Sequence, residues 1–446
     1  MVGSMCPDRS KRRSKRSFTR TASRAFSLCL VAGLGVAPLA CIVRLSDPYK
    51  ERSADGNVTG PPAVCSAAPA EGIATQSGPK GPHFVGRVYS VKDDPAGTTR
   101  IIWSGTTVTA RWSGASQLFA KLAVTAEHQN NENQGDAIID PPSTFYSVAI
   151  DGQAPTIVTV DGTRSGEQVI PLASDLGAGD HEVTLVRESD ALAGPHLFYG
   201  LFTDAAGKAA PAYLPATVRP RRIQIIGDSI ACGAGVLGAN ALCGHTYATE
   251  RASLAFGALA AAQLDAEVGT IAIRPVGMAL SSDPTVPWTM PQLYGCTDPR
   301  VDPAQLTANM LSCPSAGDLS KDPAAPQVIV IALGANDLAR ASATIGDFQT
   351  AYEAFLRTVR TTYPKAHVFC TLSPLLTDLN TKSIRTNARS AIQAVVQDLA
   401  DPKIYALEFP DQGTENGLGC EENPSTRTQQ VMADILATAI REKTCW

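Results

Sequence analysis

Ile223-Gln224-Ile225-Ile226-Gly227-Asp228-Ser229-Ile230 is an apolar run that ends in a Gly-Asp-Ser turn. A strand apolar on both faces belongs in a covered parallel sheet. The turn after it presents the Ser229 hydroxyl at the sheet's carboxyl edge, beside the free amides of the next helix. Four more apolar runs follow, Thr270–Ile273, Val328–Leu333, Val368–Leu372 and Ile404–Leu407. Helical stretches lie between and after them at about Thr249–Leu264, Ile345–Thr362, Thr381–Leu399 and Thr426–Lys443. Residues 220–446 are therefore expected to form an α/β doubly wound, flavodoxin-like domain whose ligands gather at the carboxyl ends of the strands.

Upstream, short segments alternate polar and apolar residues: Thr107–Trp112, Gln117–Val124, Thr144–Ile150, Pro155–Val160, Glu167–Leu172 and Glu182–Arg187. Alternation with period two marks half-buried strands, and Asp151-Gly152 and Asp161-Gly162 supply positive-φ turns between them. An all-β sandwich, jelly-roll-like and of about eight or nine strands, is expected over residues 83–215. The Asn-rich Gln129–Gln134 reads as a surface loop.

Residues 1–24 carry eight Lys or Arg against one acid, and Ala25–Val43 is 19 residues without a charge. Together, residues 1–43 read as an export signal or anchor. Pro38-Leu39-Ala40-Cys41 is similar to a lipobox except at Pro38, so lipid attachment at Cys41, simple cleavage and a retained anchor all stay open. Residues 44–82, polar and rich in Pro, Gly, Ala and Ser, read as a flexible linker. Beyond residue 24 stand 30 basic and 41 acidic groups, a net of −11 that excludes nucleic acid as a partner. Membrane contact is expected only through the N-terminal anchor or lipid, the location is extracytoplasmic, and the body is expected to be monomeric.

Of eleven cysteines, eight remain after Cys6, Cys29 and a modified Cys41, an even number that suits disulfides outside the cytoplasm. Proximity in the expected architecture suggests Cys232 with Cys243, Cys296 with Cys313, Cys370 with Cys420, and Cys65 with Cys445. The six histidines, His83, His128, His181, His196, His245 and His367, are scattered without metal-ligand spacing, so no metal and no cofactor is expected.

Gly227-Asp228-Ser229 and Gly334-Ala335-Asn336-Asp337 both follow strand ends, and with them the chain resembles the SGNH (GDSL) hydrolases. The resemblance implies that Ser229 is the nucleophile and that the Asn336 side chain, the Ser229 amide and a glycine amide form the oxyanion hole. Further stretches narrow it to carbohydrate esterase family 2: Phe84-Val85-Gly86-Arg87, Trp103-Ser104-Gly105, Ala248-Thr249-Glu250, Thr289-Met290-Pro291-Gln292-Leu293-Tyr294, and Gly417-Leu418-Gly419-Cys420 followed by Pro424. That family places a β-sandwich before the hydrolase domain and deacetylates plant-type polysaccharides, so the resemblance implies acetylated polysaccharide or oligosaccharide as the ligand. Trp288 and Tyr294 are candidates to stack on sugar, with core packing as the other reading.

Departures from the family pattern fall on the chemistry. Family members continue into Asp-x-His-Pro, whereas this chain reads Glu421-Glu422-Asn423-Pro424. Asn423 then occupies the histidine position and Glu421 that of its supporting aspartate. An amide has no protonation equilibrium near neutral pH and cannot take the serine proton. Within Ile273-Arg274-Pro275-Val276-Gly277, either 275 or 277 aligns with the donor glycine; Pro275 has no N–H, and Gly277 would preserve the hole. His245, in the loop after the nucleophile, is the candidate substitute base, and Gln429 stands where the family usually has another histidine. Activity through Ser229 is accordingly expected to be weak or lost, with a non-catalytic glycan-binding protein and an esterase with a relocated base as alternatives.

Overall fold

A computed structural model describes residues 58–59, 76–90, 97–125, 143–283, 286, 288–297, 300–301, 311–312, 319, 325–378 and 383–446. The signal segment, Cys41, Gln129–Gln134, His128, Cys65 and Cys313 lie outside the described residues. No described helix is long and apolar enough to cross a membrane.

The N-terminal half is a two-sheet sandwich. One sheet holds β2 (Gln76–Lys80), β13 (Ala212–Val218), β6 (Thr107–Ser113), β11 (Asp180–Arg187), β8 (Thr144–Ile150) and β9 (Thr156–Val160) in that order, with β3 (His83–Val85) also pairing β6. The other runs β10 (Glu167–Ala173), β7 (Leu118–Val124), β12 (His196–Phe202), β5 (Thr99–Ile101), β4 (Val88–Ser90). Alternation does its work here: along β6, Val108, Ala110 and Trp112 point inward to meet Leu118, Ala120 and Leu122 of β7.

The C-terminal half is a parallel sheet with helices on both faces. Its strands are β14 (Arg221–Gly227), β15 (Ala266–Ala272), β18 (Val328–Ala332), β19 (His367–Leu372) and β20 (Ile404–Glu408). Spatial order is β15-β14-β18-β19-β20, all parallel. That is the doubly wound order, and its switch point puts the ends of β14 and β18 side by side. All five residues of β18 are buried, as a two-sided strand requires. Around the sheet lie α1 (Ser229–Cys232), α2 (Phe256–Gln263), α3 (Met290–Leu293), α4 (Ile345–Thr362), α5 (Ile384–Leu399) and α6 (Thr426–Thr444). A short antiparallel ribbon, β16 (Arg300–Val301) with β17 (Leu311–Ser312), stands apart from the main sheets.

Two strands fall inside the 44–82 stretch read as a linker. β1 (Val58–Thr59) pairs antiparallel with β20 at the sheet edge, and β2 pairs with β13. Main-chain pairing needs no large apolar side chains, which is why composition missed it. The disulfides also differ from expectation. Cys243 is bonded to Cys420 (S–S 2.15 Å), while Cys232 and Cys370 are free and buried. Cys232 closes a helix whose inner side packs in the core, and Cys370 lies within β19, so neither reaches a loop partner. Cys296 and Cys445 are disulfide-bonded, and the partners expected for them lie outside the described residues.

The halves are joined by buried polar contacts. Glu188, after β11, accepts the Ser253 N–H at 2.9 Å and its hydroxyl at 2.7 Å. His83 of β3 bonds Glu267 of β15 at 2.9 Å, and Trp103 Nε1 donates to the Thr297 carbonyl at 3.1 Å.

Candidate active site

Ser229 is the first residue of α1, directly at the carboxyl end of β14. Asp228 caps the helix, its Oδ1 accepting the Ile230 N–H at 3.0 Å. Gly227 and Gly233 make the sharp turn possible. A Cβ on Gly227 would stand 2.6 Å from that of Ala231, and Gly233 (φ 72) would drive a Cβ to 2.1 Å from the Arg251 carbonyl.

At the end of β18, Asn336 opens a π-helical turn, Asn336–Arg340. Its amide orientation follows from its partners. Oδ1 accepts the Ser282 hydroxyl at 3.1 Å, and Nδ2 donates to the Val276 carbonyl at 3.0 Å. One Nδ2 hydrogen is left over, as an oxyanion donor requires.

Asp337 does not cap a helix. Its carboxylate accepts three amides from the loop after β15: Met278 at 2.9 Å, Ala279 at 2.5 Å and Leu280 at 2.9 Å. That loop contains Gly277, where a Cβ would lie 2.1 Å from the Leu280 carbonyl and 2.4 Å from Asp337 Oδ2. Only glycine fits there. Asp337 and Ser282 were not singled out as positioning groups from sequence; the adjacency of Asp337 to Asn336 was the available signal.

Burial pushes the Asp228 carboxyl up to about 7, the nearby Asp337 charge adding to the effect and Arg340 opposing it. Burial raises Asp337 as well, against the pull of its three amides.

The loop bearing Asn423 lies against the exit of α1, since the Cys420 amide donates to the Gly235 carbonyl at 3.0 Å. Asn423 is 3% exposed. Its Nδ2 donates to the Cys420 carbonyl at 3.0 Å, and its Oδ1 is buried with no hydrogen-bond partner. Glu421 and Glu422 both take left-handed backbone (φ 54 and 61), a strained pair for non-glycine residues. The Glu421 carbonyl accepts Arg340 Nη2 at 3.0 Å, and its carboxylate accepts the His245 N–H at 3.2 Å. It does not support Asn423.

His245 is turned elsewhere. Its Nε2 lies 3.3 Å from Glu250 Oε2 in a buried pair, and its ring meets Tyr247 edge-on. Among the described residues, no imidazole is hydrogen-bonded to Ser229. His83, His181, His196 and His367 bond Glu267, Asp151, Thr144 with Tyr146, and Tyr405 respectively. Gln429 ties three helices together, donating to the Ile230 carbonyl at 3.0 Å and accepting the Phe256 amide at 2.8 Å.

The two candidate sugar platforms are core residues. Tyr294 is 2% exposed, with its hydroxyl on Gln224 at 2.9 Å and its ring edge-on to Phe355. Trp288 belongs to the same buried cluster. Their apolar area is worth more inside than as an open stacking face, so the core reading replaces the sugar-stacking one.

Two family descriptions match the chain: carbohydrate esterase 2 N-terminal over residues 84–212, and GDSL-like lipase/acylhydrolase over residues 225–426. Cellulase/esterase CelE of Acetivibrio thermocellus is 30% identical over 361 residues, which cover 79% of this chain and 38% of that protein. The chain thus spans about two-fifths of that relative's length. An acetylxylan esterase / glucomannan deacetylase of Cellvibrio japonicus is 26% identical over 320 residues, 68% of this chain and 79% of that protein. A family two carbohydrate esterase from Clostridium thermocellum, solved in complex with cellohexaose, superposes with a TM-score of 0.65 at 27% identity over 81% of this chain and 98% of that one.

Proposed function

We propose, from the premise that this chain belongs to the SGNH/GDSL hydrolases of the carbohydrate esterase family 2 type, that it holds acetylated polysaccharide at the Ser229 cleft and cleaves its esters weakly or not at all. The relatives that act on acetylated xylan or glucomannan supply the substrate class. The observation that carries the loss is the state of Asn423: its amide is fixed by the Cys420 carbonyl, and nothing it offers can remove a proton.

The rest of the machinery fits acyl transfer. Ser229 Oγ would attack the acetyl carbonyl, and the oxyanion would meet the Ser229 amide, the spare Nδ2 hydrogen of Asn336 and the Gly277 amide. What is missing is a destination for the Ser229 proton. Loss of the histidine from a comparable triad costs about 10⁶ in turnover, leaving about 10³–10⁴ over water from the hole and binding. A protein so placed serves better by retention of glycan than by turnover. The Cys243–Cys420 disulfide supports an oxidising, extracytoplasmic setting. The N-terminal segment is read as anchor or signal from its charge and apolar run, and the body as a monomer.

The full chain assayed on a chromogenic acetyl ester, beside Ser229→Ala and Asn423→His, tests this. Turnover near background that rises at least about a hundredfold in Asn423→His is the expected result, the lower end of what a placed base supplies. Ser229-dependent turnover at ordinary rates in the unmodified chain would defeat the reading, and its loss in His245→Ala would identify a relocated base. Retention on acetylated glucomannan in affinity electrophoresis tests the binding half.

A further inference from the structure

Behind the nucleophile helix, where the sandwich meets the α/β half, three buried groups from distant parts of the chain converge. Asp190 precedes β12, Cys232 ends α1 and Glu250 precedes α2, and one ligand atom of each lies within 4.8 Å of the others. All three are 0% exposed. We propose that Asp190, Cys232 and Glu250 form a site for a divalent cation of the Zn²⁺ type, which ties the nucleophile helix to the sandwich.

The carboxylate of Glu250 points to a missing partner. Its Oε1 is buried without a hydrogen bond, while the carboxylate's other contacts are the imidazole of His245, 3.3 Å from Oε2, and the Asp190 main-chain amide. An orphaned buried acceptor costs free energy that a native fold rarely tolerates without a use. Nearby cations do not supply the bond. Arg187 spends its guanidinium on the carbonyls of Ile101, Ser189, Asp190 and Gly194. Arg274 serves Asp190, its N and Nε lying 3.4 and 3.3 Å from Oδ2, while Oδ1 accepts the Leu192 N–H at 2.8 Å.

The second observation is the sulfur. Cys232 is a free buried thiol, whereas Cys243, in the loop after the same helix, is cross-linked to Cys420. A thiolate with two carboxylates, and an imidazole beside them, is a mixed soft and hard set that suits Zn²⁺ over Mg²⁺ or Ca²⁺. Atoms so spaced leave a centre at most about 2.8 Å from each, so contraction by about half an ångström reaches the usual Zn–O and Zn–S lengths. On binding, the Cys232 S–H proton leaves to solvent as the S–metal bond forms, and Glu250 Oε1 gains its partner. Because the groups are sealed from solvent, loading belongs to folding.

The test is independent of ester turnover. The full chain, produced in cobalt-supplemented cells and then in zinc-supplemented ones, is desalted and its metal content measured. Expected are about one ion per chain, a near-ultraviolet thiolate-to-Co²⁺ charge-transfer band, and a lower Tm after chelation in mild denaturant. Cys232→Ser should abolish the band, Cys370→Ser should leave it, and Glu250→Gln should weaken retention at least tenfold. Metal-free protein with no band, or a band that survives Cys232→Ser, overturns the proposal. If Cys232→Ser does not fold, the metal content and band of the unmodified chain still decide.

Discussion

Cys243 is bonded to Cys420 across 177 residues of sequence, and that bond ties the loop after the nucleophile helix to the loop that carries Asn423. A cross-link closing so long a loop removes much freedom from the unfolded chain. The chain-entropy picture gives about 5 kcal/mol, and measured losses run about 2–5 kcal/mol. Cys243→Ala with Cys420→Ala should therefore lower the unfolding free energy, read from urea denaturation, by that order. Glycan retention should fall with it, since the Asn423 loop loses its anchor.

Asp337 should govern the Gly277 loop locally. Asp337→Asn leaves one side-chain oxygen to serve the three amides of Met278, Ala279 and Leu280. Loss of one or two charge-assisted bonds costs about 2–4 kcal/mol. Hydrogen exchange should rise in peptides over residues 275–283 and stay unchanged in the sandwich strands. Uniform acceleration across both halves would contradict a local role.

Asp228 makes stability fall as pH rises. Its carboxyl titrates at about 7 in the folded chain, above the ordinary 3.8, chiefly because it is buried. Between those values the folded state binds more protons than the unfolded state, so stability declines across that window and levels off above it. Asp228→Asn keeps an N-cap acceptor without the charge. Stability at pH 8 should rise by at most about 4 kcal/mol, seen as a higher Tm, and the difference should vanish near pH 4.

His196 acts in the opposite sense at the acid end. It is fully buried in the sandwich, Nε2 on the Thr144 hydroxyl and Nδ1 on that of Tyr146, both at 2.8 Å. Burial, helped by the Arg187 charge, holds it neutral far below 6.5. The unfolded chain takes up the proton first, so stability present above pH 6.5 drains away as pH falls below it. His196→Gln should flatten that part of the stability curve, read as Tm against pH from 7 to 5.

Much of the fold was legible because its patterns are local. Thr144–Ile150, bounded by turn residues, forms β8 with those bounds although Tyr146, Ser147 and Val148 are all buried, and Ile345–Thr362 carries a Thr344 cap that fixes the start of α4. β5, β12 and β13 were not read as strands, because Gly200 and Pro215 interrupt the alternation and β5 is only three residues long. Ser229 and Asn336 were legible as strand-end polar residues. The partners that aim them were not: Ser282 and the loop amides on Asp337 come from 54–59 residues away and need the fold to meet. Trp288 and Tyr294 were ambiguous for the same reason, since an aromatic's neighbours, not its identity, decide whether it faces sugar or core.

Glu188 belongs to the sandwich, yet it holds Ser253 ahead of α2 with both carboxylate oxygens. The seam between the halves is thus written in reciprocal side chains rather than in a bare linker. Transplanting the front module onto a foreign partner that lacks Ser253 would strand a buried acid. A chimera made by cutting near residue 219 should therefore be less stable when its two pieces come from different parents.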